Sequence, residues 1–228
     1  MAFLTLNFKG VFLAILFGIA FFELGLNIGY YFILTMVLFL ILSAIATNVG
    51  RGYKKHIGVY QGYRGVKNVI ANGLVPLMMA IAFYFSSTAG KETFTLLSIV
   101  GFIASVAAVT ADKFNSEIGV FGGVPRMIFN FKKVRRGTSG GITLLGLLAG
   151  LFAALLISLT LILIVKSGLY GFDERIALIS ITLGGFLGSV VDSMLGYFEE
   201  RGVGNKFTSN LFCSLAGGIA AMIIFLLI

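Results

Sequence analysis

Seven stretches of mainly apolar residues follow one another along the chain, separated by shorter polar segments. They lie at about 10–28, 30–48, 68–86, 93–111, 141–165, 175–198 and 208–228. Each has about the 20 residues that an α-helix needs to cross roughly 30 Å of hydrocarbon. None shows the alternation of apolar and polar positions that is typical of barrel strands. The pattern therefore predicts an all-α, polytopic integral membrane protein with about seven transmembrane helices.

The composition favours the same class. The 228 residues are 58% hydrophobic and 11% charged, with a mean hydropathy of +1.03, whereas soluble domains average about 25% charged residues. Residues 1–28 lack the small-residue cleavage site of a signal peptide, so we interpret the first segment as a retained helix. We expect one transmembrane domain over residues 1–228, with loops at about 49–67 and 112–140.

Basic residues are distributed unevenly between the predicted loops. Of the 17 Lys and Arg residues, 14 fall at the N-terminus, in the two long loops and after the sixth segment. Because cytoplasmic loops carry the excess of Lys and Arg, this predicts a cytoplasmic N-terminus, cytoplasmic long loops and a C-terminus outside the cell membrane. The net charge of +8 then indicates topology and contacts with anionic lipid or nucleotide phosphates. Nucleic acid is excluded as a partner, since base-stacking aromatic residues do not interleave the basic loops.

Four polar clusters stand out against the apolar pattern. They are RGVKNVIANG (64–73), ADKFNSEIG (111–119), KKVRRGTSGG (132–141) and GSVVDSMLGYFEE (188–200). The predicted topology places all four on the cytoplasmic side. We therefore expect four distant parts of the chain to meet in a single site at the boundary between membrane and cytosol.

The second cluster carries two carboxylates at the end of a membrane-length segment. Asp112 and Ser116 are four residues apart and share a helical face, and Glu117 follows. Carboxylates with nearby polar groups suit Mg²⁺, which binds one or two carboxylates together with water and phosphate oxygens. A helix end that merely meets water is the alternative. A functional role is favoured because an ionised group at or below the interface is costly.

The fourth cluster places Asp192 inside an otherwise uncharged segment, with the hydroxyl of Ser193 beside it. An ionisable residue inside a membrane indicates a functional site, with a hydrogen bond to a neighbouring helix as the alternative. The three acids Asp112, Glu117 and Asp192 are the candidate metal ligands and catalytic residues.

The third cluster ends in a Thr-Ser-Gly-Gly turn behind a run of basic residues. Thr138 or Ser139 is predicted to N-cap the fifth transmembrane helix, leaving backbone N–H groups for an anion. Gly140 and Gly141 would let backbone approach a phosphate closely. A capped helix behind a basic loop explains the pattern about equally well, and no P-loop motif is present. The candidate phosphate-binding residues are Arg126, Lys133, Arg136, Thr138, Ser139, Gly140 and Gly141.

The first cluster offers Arg64, Lys67, Asn68 and Asn72. Asn68 and Asn72 are four residues apart, and Asn72 would lie one turn inside the membrane. Their amides could bind a nucleotide or a neighbouring helix. Lys67, Asn68 and Asn72 are therefore added to the candidate nucleotide-binding residues, with helix packing as an equal alternative. The hydroxyl residues Ser116 and Ser193 complete the candidate nucleotide- and phosphate-binding set.

In this order, RGVKNVIANG, ADKFNSEIG, RRGTSGG and DSMLG resemble the motifs of the polytopic membrane family that includes the chloroplast phytyl-phosphate kinase. The resemblance extends from about Arg64 to Gly196, and it is more distant to dolichol kinases and phosphatidate cytidylyltransferases. Lys113 departs from the family pattern, since threonine is usual there. The positions that match the motifs are Asp112, Ser116, Glu117, Thr138, Gly140, Gly141, Asp192 and Ser193.

The resemblance implies phosphoryl transfer from a nucleoside triphosphate, with CTP expected, to an isoprenoid monophosphate, which gives a prenyl diphosphate. Our hypothesis is that Asp112, Glu117 and Asp192 hold Mg²⁺ and that the Thr138–Gly141 turn and the basic residues hold the nucleotide phosphates. A cytidylyltransferase that makes a CDP-lipid is the nearest alternative. A transporter or flippase and a non-catalytic scaffold are alternatives from other classes. Faces of small residues on the helices are compatible with a homodimer.

Overall fold

The computed structural model describes residues 7–62, 65–171 and 173–228, and helices follow the predicted apolar segments. A short 3-10 turn, Leu26–Ile28, joins the first two helices. The α-helices, in chain order, are α1 (Phe8–Leu24), α2 (Gly29–Asn48), α3 (Arg51–His56), α4 (Val66–Thr88), α5 (Glu92–Gly119), α6 (Leu144–Ser158), α7 (Thr160–Lys166), α8 (Glu174–Glu199) and α9 (Lys206–Leu227).

Six helical segments of the described chain are long and apolar enough to cross a membrane. They are Leu26–Asn48, Val66–Thr88, Glu92–Gly119, Leu144–Lys166, Glu174–Glu199 and Lys206–Leu227. The first predicted segment corresponds to α1, whose 17 residues lie at the lower limit of the roughly 17–25 residues of a spanning helix. The all-α membrane class is confirmed, and the side on which each terminus lies stays a prediction.

Helix α5 is the central element of the bundle. It packs against α2, α4, α6, α8 and α9, and its middle is almost entirely buried. Small residues allow this: a Cβ added at Gly188 or Gly217 would lie 2.6 or 2.5 Å from the Cβ of Ala108. Lipid provides no hydrophobic driving force for helix association. Van der Waals contacts between closely packed backbones therefore contribute to holding the helices together. At Gly188 the absence of a side chain thus serves helix packing.

The loop between α5 and α6 differs from the prediction at both ends. Helix α5 continues to Gly119, so the second polar cluster is helical to its end. Two short antiparallel strands, β1 (Arg126–Met127) and β2 (Gly141–Ile142), then close the loop. The Thr-Ser-Gly-Gly turn therefore belongs to the loop and not to the start of α6.

The predicted N-cap at Thr138 or Ser139 is wrong, because Thr143 caps α6. The Thr143 hydroxyl accepts a hydrogen bond from the backbone N–H of Gly146 at 3.1 Å and donates one to the carbonyl of Gly119 at 3.1 Å. This side chain satisfies an N–H group at the start of α6 and ties α6 to the end of α5.

Candidate active site

A polar cavity of about 370 Å³ lies where the N-terminal ends of α4 and α9 meet the C-terminal halves of α5 and α8. All four polar clusters contribute to its lining, so the predicted convergence is found in the structure. The predicted site residues in its walls are Lys67, Asn68, Asn72, Asp112, Ser116, Glu117, Thr138, Ser139, Gly140, Gly141, Asp192 and Ser193.

Asp112 and Asp192 come from different helices and converge on one ammonium group. The Nζ atom of Lys206, at the start of α9, lies 2.7 Å from Oδ2 of Asp192 and 3.7 Å from Oδ2 of Asp112. Asp192 is buried, and its Oδ1 has no hydrogen-bond partner among the described residues. Lys206 itself is about half exposed, with 53% of its side chain accessible. The ammonium that the two carboxylates share is therefore accessible from the cavity.

Glu117 takes part in a second group of ion pairs, which lines the same cavity. Its carboxylate lies 2.7 Å from Nζ of the fully buried Lys54 and also pairs with Lys113, one helical turn earlier. The hydroxyl of Thr47 donates to it at 3.3 Å. Lys54 also donates to the carbonyl of Ala46 at 2.8 Å, near the end of α2. Glu117 thus connects α5 to α2 and α3, and the structure does not bring it to the cation shared by the two aspartates.

The three predicted metal ligands are not grouped together in the part of the chain that the structure describes. Within the described ranges, no three Asp, Glu, His or Cys side chains are close enough together to hold a metal ion. Asp112 and Asp192 alone nevertheless fit Mg²⁺, which binds one or two carboxylates and completes its shell with water and phosphate oxygens. The buried Oδ1 of Asp192, which lacks a partner in the part of the chain described, supports this fit. A metal role for Glu117 stays a prediction.

The Thr138–Gly141 turn lies directly on α8, one turn beyond Asp192. A Cβ added at Gly196 would lie 2.4 Å from the Gly140 nitrogen, and Gly140 has a φ of +77°, so glycine is required on both sides of this contact. The N–H of Ser139 donates to Oε1 of Glu200 at 2.9 Å, and that of Gly141 donates to the carbonyl of Thr138 at 3.1 Å. These two N–H groups are therefore bonded within the protein rather than directed at an anion.

Three of the predicted phosphate-binding cations lie outside the cavity. Arg126, Lys133 and Arg136 are exposed on the loop that the two strands close. Arg126 donates to the carbonyl of Phe131 at 3.1 Å, and Arg136 donates to the carbonyl of Gly123 at 3.1 Å and to the hydroxyl of Tyr53. The cations that line the cavity among the described residues are Lys67, Lys113 and Lys206.

Amide side chains form one wall of the cavity. Asn72 donates to Asn68 at 3.2 Å and accepts a hydrogen bond from Asn210 of α9 at 3.3 Å. Asn72 thus makes the contact with a neighbouring helix that was the alternative to nucleotide binding. It also lines the cavity. Arg64 lies outside the described residues.

The two predicted serines differ in accessibility. Ser116 is exposed and donates to the carbonyl of Lys113 at 3.2 Å, whereas Ser193 is buried and donates to the carbonyl of Ser189 at 3.3 Å. Sequence reasoning missed Lys54, Lys206 and Asn210. Lys54 and Lys206 were counted only as loop charges, and no pattern in the sequence distinguishes them from the exposed basic residues around them.

Comparison with known proteins agrees with the motifs. The chain matches the family described as "Integral membrane protein DUF92" over residues 2–224. It is 36% identical over 203 residues to an uncharacterized membrane protein, MJ0933, of Methanocaldococcus jannaschii, covering 86% of this chain and 77% of that relative. No solved structure matches.

Two plant relatives come from Arabidopsis thaliana. Protein PGR is 30% identical over 188 residues, covering 74% of this chain and 64% of its own length. Protein VTE6, chloroplastic, is 31% identical over 125 residues, covering 53% of this chain and 37% of its own length. The chain therefore spans less than two thirds of either plant protein. The match to this chloroplast protein agrees with the family resemblance drawn from the motifs, and the family assignment is confirmed. By its sequence, the chain belongs to the DUF92 family of integral membrane proteins.

Proposed function

We propose that this protein transfers the terminal phosphoryl group of a nucleoside triphosphate, with CTP as the expected donor, to an isoprenoid monophosphate. The observation that carries the proposal is the convergence of Asp112 and Asp192 on one cation, inside a polar cavity at the helix ends. A lipid acceptor in the membrane and a nucleotide in water can both reach such a position. The resemblance of the motifs to the family that includes the chloroplast phytyl-phosphate kinase supports the choice of reaction, and the match to the chloroplast protein VTE6 agrees with it.

In the proposed reaction, an oxygen of the acceptor phosphate attacks the γ-phosphorus of the nucleotide. The bond from the γ-phosphorus to the β–γ bridging oxygen breaks, and a nucleoside diphosphate leaves. Because the attacking oxygen is already anionic, no general base is needed, and catalysis consists of positioning and charge neutralisation. This agrees with a cavity lined by acids, lysines and amides, without a histidine in its walls among the described residues.

The residues of the cavity divide this work between them. Asp112 and Asp192 would hold Mg²⁺, which neutralises phosphate charge when bound. Lys206, Lys67 and Lys113 supply positive charge to the phosphates. The turn contributes Thr138 and Ser139, which line the cavity and would offer their hydroxyl groups to the phosphates. Glu117 acts as a positioning residue, because it holds Lys113 and fixes α2 and α3 against α5. The excess of basic loops at this end of the bundle favours a site that faces the cytoplasm.

Product analysis tests the reaction. Purified protein is incubated with Mg²⁺, a panel of nucleoside triphosphates and short prenyl monophosphates, and the lipid and nucleotide products are identified by mass. A prenyl diphosphate together with a nucleoside diphosphate is the expected result. Pyrophosphate with a CDP-lipid would assign the protein as a cytidylyltransferase instead. No lipid product with any nucleotide would leave transport as the better account, although transporters place their polar sites near the bilayer midplane.

Variants test the two aspartates. Asp112→Asn and Asp192→Asn are each expected to abolish transfer while the protein stays folded in detergent. The matched control is Asp173→Asn, the N-cap at the opposite end of α8, where asparagine caps equally well. This control should keep full activity. Full activity in either cavity variant would remove that aspartate from the proposed cation site.

A further inference from the structure

A second cavity, of about 100 Å³, lies between α1, α2 and α4, beside the candidate active site. The two cavities share Asn68 and Asn72 in their walls, so they meet at the start of α4. Beyond these amides and Ser43, the lining of the second cavity is apolar and includes Ala14, Phe17, Phe21, Ile33, Met36 and Leu40.

The second cavity continues to the outside of the bundle. A groove of about 550 Å³ along α1 and α2 shares Ala14, Gly18 and Ile33 with it. The groove is lined by apolar side chains that are about half exposed on the outer surface of the bundle, namely Ile15, Ile19 and Phe22. In a membrane, such a surface faces lipid chains. Apolar surface is therefore continuous from the lipid-facing side of α1 to Asn68 and Asn72, which border the polar cavity on their other side.

We infer that this apolar surface between α1 and α2 binds the hydrocarbon tail of the acceptor lipid, with the head phosphate beside Asn68 and Asn72. An amphiphile with an anionic head needs a polar site that adjoins an apolar one, and these cavities adjoin at the two amides. The wall on α1 runs from Val11 to Glu23, which is about 18 Å at 1.5 Å per residue. A tail of several isoprene units can therefore be held before it enters the bilayer. This inference rests on the proposed function and adds the position of the tail.

Gly18 is the position at which this surface can be blocked with least disturbance. It lines both the cavity and the groove, and a Cβ added there would have no atom within 4 Å. Phenylalanine at this position would place a ring in open space. By contrast, a Cβ at Gly73 would meet the ring of Phe17 at 3.0 Å, so a substitution there would disturb the packing itself.

Chain-length selectivity tests the inference. In Gly18→Phe, kcat/KM for a C20 prenyl monophosphate is expected to fall about tenfold relative to that for a C10 substrate, which corresponds to about 1.4 kcal/mol of lost tail binding. The KM for the nucleotide should not change. Leu16→Phe adds a ring on the exposed face of the same helix, outside both cavities, and should behave like the unaltered protein. An unchanged ratio of C20 to C10 in Gly18→Phe would overturn the inference.

Photocrosslinking tests the tail site independently of turnover. A C20 prenyl monophosphate with a diazirine near the end of its tail is irradiated with the full-length protein in detergent, and the labelled peptides are mapped. Labelling of α1 and α2 that Gly18→Phe reduces is expected. Labelling confined to the outer faces of α6 and α9 would overturn the inference even if transfer is observed. Labelling of α1 and α2 without transfer would instead overturn the proposed reaction and leave the tail site standing.

Discussion

Replacing Lys54 with methionine tests how the end of α2 is attached to α5. The ammonium of Lys54 is fully buried, 2.7 Å from the carboxylate of Glu117 and 2.8 Å from the carbonyl of Ala46. Removing one partner of a buried ion pair costs about 3–5 kcal/mol, because the remaining charge stays buried. Lys113 remains beside Glu117 in this variant, so the lower value, about 3 kcal/mol, is expected. For a chain of this size, that lowers Tm by about 6–12 °C.

Thiol accessibility measures this loss of stability. The single cysteine of the chain, Cys213, is buried in α9, so its reaction with a thiol-specific fluorophore during heating in mild detergent reports unfolding. The matched control is Lys55→Met, the exposed neighbour, whose ammonium lies 5.5 Å from the ring of Tyr60. That control should cost less than about 1 kcal/mol, as is typical of exposed cation–π contacts.

A double variant distinguishes the two costs of removing Lys54, namely the lost packing of its side chain and the buried charge that remains on Glu117. Combining Lys54→Met with Glu117→Gln removes both charges, and buried pairs replaced by neutral residues are often nearly neutral in stability. The double variant is therefore expected to recover most of the lost Tm. If it is as unstable as Lys54→Met alone, the cost does not come from the charge of Glu117, and the electrostatic argument fails. Retained transfer activity in the double variant would assign Glu117 a positioning role, whereas complete loss would favour a metal ligand.

Three further predictions concern the cavity itself. Lys206→Met removes the cation between Asp112 and Asp192, so Mn²⁺ should bind about tenfold more tightly, a change of about 1.4 kcal/mol. Binding is measured by electron paramagnetic resonance without nucleotide, and an unchanged affinity would mean that the ammonium and the metal do not compete. Gly196→Ala would place a Cβ 2.4 Å from the Gly140 nitrogen, a backbone atom, so the turn must move, the KM for the nucleotide should rise about tenfold and Tm should fall. An unchanged KM would remove the turn from the nucleotide site. Excess EDTA should stop transfer and added Mg²⁺ should restore it, and turnover that persists in EDTA would contradict the metal role.

The helices and the meeting of the four clusters could be predicted from the sequence for physical reasons. Apolar length alone defines a membrane helix, since lipid offers no partner for exposed backbone groups. Once the spans alternate across the membrane, polar segments at every second junction share one face. Asp112 and Asp192 were found in this way because a charge inside an apolar run is costly and rarely without a role.

The partners of these acids could not be predicted, because they depend on side-chain packing. Lys206 reaches Asp192 across a turn between two helices, and Lys54 is folded inward from a run of exposed basic residues. The N-cap at Thr143 was missed for a similar reason. The pairing of Gly141–Ile142 with Arg126–Met127 makes those residues a strand, and this pairing depends on contacts between distant parts of the loop.

Lys54 and Lys206 have different roles: Lys54 holds helices together, whereas Lys206 borders the proposed site of reaction. Lys54 is fully buried and bonded to Glu117, so its departure would leave a carboxylate without enough compensation in a low-dielectric surrounding. Lys206 is about half exposed and lies between Asp112 and Asp192 at the cavity wall. Its ammonium can turn toward water or toward a phosphate when another cation enters, because the incoming cation compensates both carboxylates. The exchangeable charge of Lys206 thus lies where a phosphate would arrive, and the fixed charge of Lys54 lies where α2 and α3 are held against α5. If Lys206→Met and Lys54→Met had the same effect on stability and on Mn²⁺ binding, this division would not hold.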